Sequence, residues 1–324
     1  NEQLWIGHFD VWMQSGLIMF RQALPLNGGL TATNLQCEAM LAAASPLQLP
    51  DPAAAVDIVG TGGSIALGGR AFNVSTMASI VAAAAGATVC KHGNRKASST
   101  SGSTDLLEAL GVEVDLDGPA VVACVREAGV GFAFARVFHP AMRHVAHIRA
   151  ELGVPTVFNL LGPLSHPGHV GRQVLGVADA DRVELVAGVL ARRGLRRAWV
   201  VRGADGLDEL TTTDATDVIE IRDGVEVRRF RVLPEEVGLT RVTLDDIAVG
   251  DPEQNAAAAT AVLEGRAGPV RDMVLLNAAA ALVVAEVADD LADGIARSAA
   301  AVDGGAAART LGELVAASRA LTAD

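Results

Sequence analysis

The chain has 324 residues and a formal net charge of −12 at pH 7, enough for one large domain or two smaller ones. Half of its residues are hydrophobic and 20% are charged, which excludes a disordered or collagen-like chain. The acidic balance, with 3% aromatic residues and no Tyr, disfavours binding to nucleic acid or to an anionic membrane. Against this background the only two lysines, Lys91 and Lys96, lie close together.

Cysteine usage and apolar runs indicate the compartment. Cys37, Cys90 and Cys124 are widely spaced and form no CxxC pair, as expected of a protein kept in a reducing environment. No apolar run is long enough to cross a bilayer, and no basic segment of the signal-peptide type opens the sequence. The sequence therefore predicts a cytoplasmic protein with no membrane partner.

Strands and helices alternate along most of the predicted chain. The early elements are a helix over Thr33–Ala44, a strand over Val56–Val59, a helix over Val74–Ala85, a strand over Ala87–Cys90, a helix from Thr104, and short strands over Val112–Val114 and Gly131–Phe134. The later ones are helices over His139–Leu152 and from Val154, strands over Val174–Val177 and Ala198–Val201 around a helix over Val183–Arg192, a hairpin of Asp217–Ile221 and Val225–Arg231, and helical stretches over 252–264, 271–287 and 288–319. This alternation predicts an α/β fold with a central, largely parallel sheet flanked by helices.

Two glycine- and hydroxyl-containing segments follow the first strand. The loop of Gly60, Thr61, Gly62 and Gly63 exposes backbone N–H groups that can wrap a phosphate, but it can equally be a tight turn. The segment Phe72–Thr76 places Asn, Ser and Thr at the start of a helix. Those side chains are ordinary caps, although they can also bind a phosphate or Mg²⁺.

Charged clusters follow three other predicted elements. Lys91–Lys96 and the hydroxyls up to Ser103 form a dense anion site or, alternatively, a solvated basic loop. Asp208 and Glu209 can hold Mg²⁺ together with substrate phosphates, or they can form an ordinary acidic turn. His139, Arg143 and His147 share one face of the predicted helix. This spacing fits an anion-binding arginine or a solvated helix face better than it fits a zinc site.

Six of these segments occur in an order typical of one family. They are Asp57-x-x-Gly-Thr-Gly-Gly63, Phe72-Asn-x-Ser-Thr76, Lys91-His-Gly-Asn-Arg95 with Ser98-Ser-x-Ser-Gly-Ser103, His139-Pro-Ala-Met142 with Arg149, Phe158-Asn-Leu-Leu-Gly-Pro-Leu164, and Gly206-Leu-Asp-Glu209. From about residue 51 onwards, the chain resembles the anthranilate phosphoribosyltransferases of tryptophan biosynthesis, which share a nucleoside-phosphorylase-like fold. The resemblance implies transfer of the phosphoribosyl group of 5-phosphoribosyl 1-diphosphate (PRPP) to the amine of anthranilate, with release of pyrophosphate.

The resemblance also implies a site, residue by residue. Catalytic roles fall to Lys91, Arg149, Asp208 and Glu209, and Ser75, Asp208 and Glu209 would hold one or two Mg²⁺ ions. PRPP would contact Gly60, Thr61, Gly62, Gly63, Asn73, Ser75, Thr76, Lys91, Ser99 and Ser103. Anthranilate would contact Gly60, His92, Asn94, His139, Arg149, Gly162 and Pro163. Catalysis would rest on electrostatics and positioning, without a covalent enzyme intermediate.

The family pattern further implies two domains and a homodimer. A small, shortened helical domain would span residues 1–52 and be joined by helices from about 139–168. The α/β transferase domain would span 53–324. No nucleic-acid partner is expected.

One loop departs from the family pattern. Ser64 stands where the family has Asp, and the link from Ser64 to Ala71 is about three residues longer than usual. The alternatives are therefore an impaired enzyme that still binds PRPP, a non-enzymatic paralogue that binds a ligand or nucleic acid, and a nucleoside phosphorylase. Arg70, within the longer link, could instead bind the diphosphate from a new direction.

Overall fold

A seven-stranded sheet organises the molecule. The computed structural model describes residues 9–12, 17–20, 44–62, 64–95, 102–143 and 156–320. The sheet strands are β3 (Val56–Gly60), β4 (Val89–Gly93), β5 (Val130–Phe134), β6 (Arg172–Gly176), β7 (Arg197–Gly203), β8 (Thr216–Arg222) and β9 (Val225–Val232). Their order is β5-β4-β3-β6-β7-β8-β9; the first five are parallel and the last two pair antiparallel. The predicted α/β fold is confirmed.

Helices cover both faces of this sheet. They are α1 (Val74–Ala84), α2 (Ser103–Ala109), α3 (Gly118–Ala128), α4 (Ala135–Phe138), α5 (Val157–Leu164), α6 (Val183–Arg192), α7 (Leu244–Ile247), α8 (Pro252–Leu263), α9 (Pro269–Val284), α10 (Leu291–Asp303) and α11 (Ala306–Ala320). Neighbouring residues of a strand point to opposite faces, so Val174 packs in the cluster with α1 and α9 while Leu175 packs with α5 and α6. Burial of both faces explains why the parallel strands read as continuous apolar runs.

Small residues let the helical layer pack closely. α9 is buried from Met273 to Val284, and α10 crosses it at Gly294. A Cβ on Gly294 would lie 2.8 Å from the Cβ of Ala279, so the two helices approach nearer than larger side chains allow. The Ala-rich composition of these helices is therefore a requirement of packing.

The sheet has a topological switch point at β3. The chain runs from β3 to β4 and β5 on one side and then returns to place β6 on the other side of β3. In open α/β sheets, ligands bind in the crevice at the carboxyl ends of the strands at such a point. The fold therefore predicts a ligand site beside the loop after Gly60 and the neighbouring residue Gly176.

Several predicted elements differ from the structure. β4 continues through Lys91 and His92 to Gly93, so these two residues are strand residues and not loop residues. Val112–Val114 forms no strand, and α2 is capped by Gly102. The predicted hairpin is confirmed: its turn residues Asp223 and Gly224 have φ values of 47° and 76°.

The helical domain predicted over residues 1–52 stays a prediction, because only part of that region is described. Its described residues include an antiparallel pair, β1 (Phe9–Trp12) and β2 (Leu17–Phe20). Residues 33–43 of the predicted first helix lie outside the described residues, as do residues 144–152 of the one predicted from His139. In the part of the chain that is described, no helix is both long and apolar enough to cross a membrane.

Candidate active site at the switch point

A cavity of about 540 Å³ opens at the carboxyl edge of the sheet, beside the switch point. Most of the sequence-predicted site residues line it together: Gly60, Thr61, Gly62, Asn73, Ser75, Lys91, His92, Asn94, Ser103, His139, Gly162, Pro163, Asp208 and Glu209. Segments that are far apart in sequence therefore converge on one space. Its size suits a small-molecule substrate.

Two glycines seat the acidic loop against the sheet. Gly60 and Gly176 are register partners at the ends of β3 and β6. A Cβ on Gly60 would lie 2.1 Å from Asp208 Oδ2, and one on Gly176 would lie 1.6 Å from the Asp208 carbonyl oxygen. Neither position can carry a side chain while Asp208 stays in place. The Gly62 N–H, in turn, donates to Asp208 Oδ2 at 2.8 Å.

The two adjacent carboxylates lie in an environment that disfavours negative charge. Burial raises the pKa of Asp208, and burial together with the charge of Asp208 raises the pKa of Glu209 well above its usual value. Among the described residues, no group of three or more His, Cys, Asp or Glu side chains could enclose a metal. Mg²⁺ commonly uses one or two protein carboxylates and completes its shell with water and substrate oxygens, so this donor pair fits Mg²⁺.

Lys91, on β4, lines the cavity although it is almost fully buried. It is 2% exposed, and its Nζ donates to the Ile58 carbonyl at 2.6 Å and more distantly to that of His92. Burial lowers the pKa of Lys91, while the charges of Asp57, Glu209 and Asp208 oppose that shift. The ammonium thus interacts with three carboxylates, Asp57 on β3 and the acidic pair that follows β7.

Asp57 joins three structural elements below the cavity. Its carboxylate accepts hydrogen bonds from the His92 N–H at 3.1 Å and from Gln173 Nε2 at 3.0 Å. Gln173 Nε2 also donates to the Pro163 carbonyl at 2.8 Å. β3, β4, β6 and α5 are therefore tied together by one buried network. Burial raises the pKa of Asp57 to about 6 despite the charge of Lys91.

The basic segment after β4 differs from a free anion site. Arg95 makes a bidentate pair with Glu108 and a further ion pair with Asp105, both on α2. Its charge is therefore already compensated, although the residue lines the cavity. Ser103 Oγ donates to the Asn94 carbonyl at 3.0 Å, which holds this segment against the start of α2. Lys96 lies outside the described residues.

Two neutral histidines form the opposite wall. Burial lowers the pKa of His92 well below its usual value and that of His139 to about 4. Each ring bonds a backbone group that raises its pKa, Gly162 for His92 and Ser165 for His139, so each ring donates to a carbonyl. Within the described residues both Nε2 atoms are buried without a hydrogen-bond partner. Both nitrogens are therefore buried behind the cavity surface and unpaired among the described residues.

Of three residues predicted on the phosphate side, Asn73 and Ser75 line the cavity and Thr76 does not. Ser75 is the second residue of α1 and lines the cavity, while the next residue turns about 100° away around the helix. Thr76 is consequently fully buried and does not line the cavity. Buried Asn255, on α8, accepts the Asn73 N–H at 3.0 Å and fixes the backbone where α1 begins.

The longer link after the glycine loop packs on the protein surface. Ser64–Leu67 forms a 3₁₀ turn, and Arg70 pairs with Asp245 of α7 at 2.9 Å. The Val249 N–H donates to the Arg70 carbonyl. Arg70 does not line the cavity, so the structure gives no support to its suggested role in binding the diphosphate.

Three predicted site residues, Gly63, Ser99 and Arg149, lie outside the described residues. Sequence reasoning in turn missed Gln173, Gly176, Asn255 and Asn277, which shape or support the cavity. Gly176 is the last residue of β6, and a glycine at the end of a buried strand is a sequence feature that could have indicated its place in the site. The two asparagines sit singly in Ala-rich helices and carry no local motif.

Two protein-family models match different parts of this chain. A family model described as glycosyl transferase family, a/b domain, matches residues 52–308. A separate model, "Putative bacterial sensory transduction regulator", matches residues 1–45, the region of the β1–β2 hairpin. The sheet, its cavity and the longer match define a glycosyl transferase of the α/β class.

Individual relatives narrow this class. Anthranilate phosphoribosyltransferase from Parvibaculum lavamentivorans is 50% identical over 289 residues, covering 89% of this chain and 84% of the relative. The Thermus thermophilus enzyme of the same name aligns with a TM-score of 0.80 and 45% identity, covering 88% of this chain and 84% of that one. The chain belongs to the anthranilate phosphoribosyltransferase family.

One more distant relative has been solved with ligands. The Saccharomyces cerevisiae enzyme in complex with PRPP and Mg aligns with a TM-score of 0.80 and 32% identity, covering 89% of this chain and 79% of that one. The same enzyme in complex with 4-fluoroanthranilate gives a TM-score of 0.78 and 31% identity over the same shares of the two chains.

Proposed function

We propose that this protein transfers the phosphoribosyl group of PRPP to the amine of anthranilate, forming N-(5-phosphoribosyl)anthranilate and pyrophosphate. The observation that most directly supports this proposal is that Asp208 packs into the groove left by the missing side chains of Gly60 and Gly176. It sets two carboxylates against a glycine loop at the switch point, which is the arrangement that a metal-bound diphosphate requires.

The donor half of the cavity has the chemistry for pyrophosphate departure. Asp208 and Glu209, with Ser75, would hold Mg²⁺, which when bound would offset the charge on the departing pyrophosphate. The Lys91 ammonium would stabilise the same charge, whereas the Thr61 and Gly62 N–H groups already bond the Gly176 carbonyl and Asp208 Oδ2. Asn73, Ser99 and Ser103 are proposed to position the phosphates of PRPP.

The acceptor half has the chemistry for an aromatic amine. His92 and His139 line this half, and their neutral rings place no positive charge against the amine. As the C1–N bond forms and the C1–O bond to pyrophosphate breaks, the nitrogen becomes an acidic ammonium. This ammonium loses its proton to water or to the departing pyrophosphate, so no strongly basic side chain is needed. Arg149 is proposed to bind the carboxylate, with Asn94, Gly162 and Pro163 shaping the rest of this half.

The decisive experiment measures loss of anthranilate fluorescence with purified protein, PRPP and Mg²⁺, with EDTA as the control. We expect turnover that EDTA abolishes. Ser64→Asp, which restores the residue usual in the family, is assayed in parallel. No turnover by either protein would overturn the proposal. Calorimetry with PRPP and Mg²⁺ then separates lost catalysis from lost binding.

Assembly and domain limits form a second part of the proposal. We propose a cytoplasmic homodimer whose transferase unit begins near residue 53, in line with the family match over 52–308. Light scattering coupled to size exclusion is expected to give twice the 33.2 kDa chain mass. A monomeric mass would contradict the dimer without affecting the proposed reaction.

A further inference from the structure

An asparagine stands alone in an apolar helix. Between Met273 and Val284, α9 is buried and otherwise consists of Ala, Val, Leu and Met. Asn277 is 3% exposed within that stretch and lies at the cavity wall. Burying an amide is costly unless it is fully hydrogen-bonded, so its partners indicate its purpose.

Those partners are backbone groups beside the acidic pair. The Leu210 N–H donates to Asn277 Oδ1 at 3.1 Å, and Asn277 Nδ2 donates to the Leu210 carbonyl at 2.8 Å. Nδ2 also donates to the Met273 carbonyl, one turn earlier on α9, at 2.9 Å. The side chain is therefore fixed to its own helix and bonds both backbone polar groups of one residue.

Leu210 follows Glu209 directly in the chain. The two hydrogen bonds from Asn277 to Leu210 therefore fix the backbone that carries the carboxylates. On the other side of the same loop, the Leu207 N–H and the Thr211 hydroxyl donate to the carboxylate of Asp205. Asp208 itself is held in the groove of Gly60 and Gly176. The loop is consequently held at three places, and the Asp208 and Leu210 contacts lie on either side of Glu209.

We propose that Asn277 is a positioning residue for the metal-binding carboxylates, acting through the Leu210 backbone. This inference rests on the proposed function, because it assigns Asp208 and Glu209 to Mg²⁺. In this proposal the side-chain amide of Asn277 keeps Glu209 oriented towards the cavity before the metal binds. Groups that orient metal ligands in this way commonly change metal affinity 10- to 100-fold when lost.

The test compares two substitutions. Asn277→Ala removes the hydrogen bonds and leaves a void, whereas Asn277→Leu removes the same bonds but fills the space. Mn²⁺ binding to each protein is followed by EPR of the free ion. The Mg²⁺ dependence of turnover, the KM for anthranilate and thermal melting are measured on the same samples. Ser318→Ala is the matched control, because Ser318 is a buried polar residue whose partners, Glu113 and Val315, do not line the cavity.

We expect about 10-fold or weaker Mn²⁺ binding for both Asn277 variants. The Mg²⁺ requirement should rise in parallel, kcat should recover at high Mg²⁺, and the KM for anthranilate should stay within about twofold of the parent. Ser318→Ala should bind Mn²⁺ as the parent does. Parent-like Mn²⁺ binding by Asn277→Leu would overturn the proposal, because it would show that packing alone matters.

A measurement on the unsubstituted protein covers the case in which both variants fail to fold. Because coupling between sites is reciprocal, hydrogen exchange at the Leu210 amide should slow when Mg²⁺ and PRPP are added. Unchanged exchange would contradict the proposal. Absence of turnover in the parent would refute the proposed function and leave the Mn²⁺ comparison valid, so the two failures are distinguishable.

Discussion

Gly60 and Asp208 form a contact in which the absence of one side chain makes room for another. The Asp208 carboxylate occupies the space that a Gly60 Cβ would take, and its Oδ2 accepts the Gly62 N–H. The same carboxylate is a proposed metal ligand. A single methyl group at position 60 therefore acts on both the glycine loop and the acidic loop.

We expect Gly60→Ala to destabilise the protein by about 1–3 kcal/mol, the usual cost of overpacking. In an Asp208→Ala background the same change should cost far less, because the atoms within 3 Å of the new methyl group belong to the Asp208 carboxylate. Urea unfolding of the four proteins without metal measures this cycle. Equal costs in both backgrounds would show that the contact is not the cause.

Asp57 gives a prediction about pH. Burial raises the pKa of its carboxyl group from 3.8 to about 6 in the folded protein. The stability from the protonated form is therefore fully present below about pH 4 and is lost as the pH rises through 6. Relative to Asp57→Asn, the parent should lose roughly 3 kcal/mol of unfolding free energy over this range. Denaturant melts of both proteins from pH 4 to 7 measure the difference, and a difference of opposite slope would contradict the assignment.

At the scale of elements, α5 connects the acceptor half of the cavity to the sheet. Its Gly162 carbonyl accepts from His92, and its Pro163 carbonyl accepts from Gln173 on β6. A Cβ on Gly162 would meet no atom within 4 Å, although this residue lines the cavity. The helix thus leaves open space at this point, on the side of the cavity where we propose that anthranilate binds.

Gly162→Ala should fill part of that space without straining the fold. We expect the KM for anthranilate to rise about tenfold, or roughly 1.4 kcal/mol of binding free energy, with the KM for PRPP unchanged. Gly312→Ala is the matched control, because this helical glycine on α11 also has nothing within 4 Å and lies away from the cavity. An equal effect of the two substitutions on KM would contradict the role of α5.

The elements also show what a sequence can predict. The glycine loop after β3 and the Asp223-Gly224 turn follow from local chemistry, and both lie where the pattern places them. The end of β4 did not follow, because Lys91 and His92 look like loop residues until the Asp57 carboxylate pairs with the strand. Asn277 was missed for a related reason: its bond to Leu210 spans 67 positions. Local patterns do not encode partners at that separation.

At the scale of the whole molecule, Glu220 ties the antiparallel part of the sheet to the helical layer. Its carboxylate, 1% exposed, pairs with Arg197 of β7, Arg222 of β8 and Arg228 of β9. Arg197 also donates to the Val283 carbonyl of α9. Burial would raise the pKa of Glu220, but its arginine partners lower it overall, so the group stays ionised.

Glu220→Gln should cost about 3 kcal/mol of unfolding free energy, because it leaves the buried guanidinium of Arg197 without its counter-charge. Asp217→Asn is the control: its partner Arg231 is exposed, and the loss should stay below about 1 kcal/mol. Neither change should alter the KM for anthranilate or PRPP. Guanidinium unfolding and steady-state kinetics test both points, and comparable losses would argue against burial as the reason.

The β3–β6 pairing has a consequence for how the protein acquires activity. The Asp57–Gln173 bond joins residues 116 positions apart, and β4, β5 and several helices lie between them in the chain. Parallel pairing over such separations is slow, because loop-closure entropy is lost before any contact compensates for it. Secondary structure can therefore return early on dilution from denaturant while the Gly60–Gly176 groove is still absent. Regain of turnover should lag behind the recovery of helical signal, which makes catalysis a reporter of the last folding step.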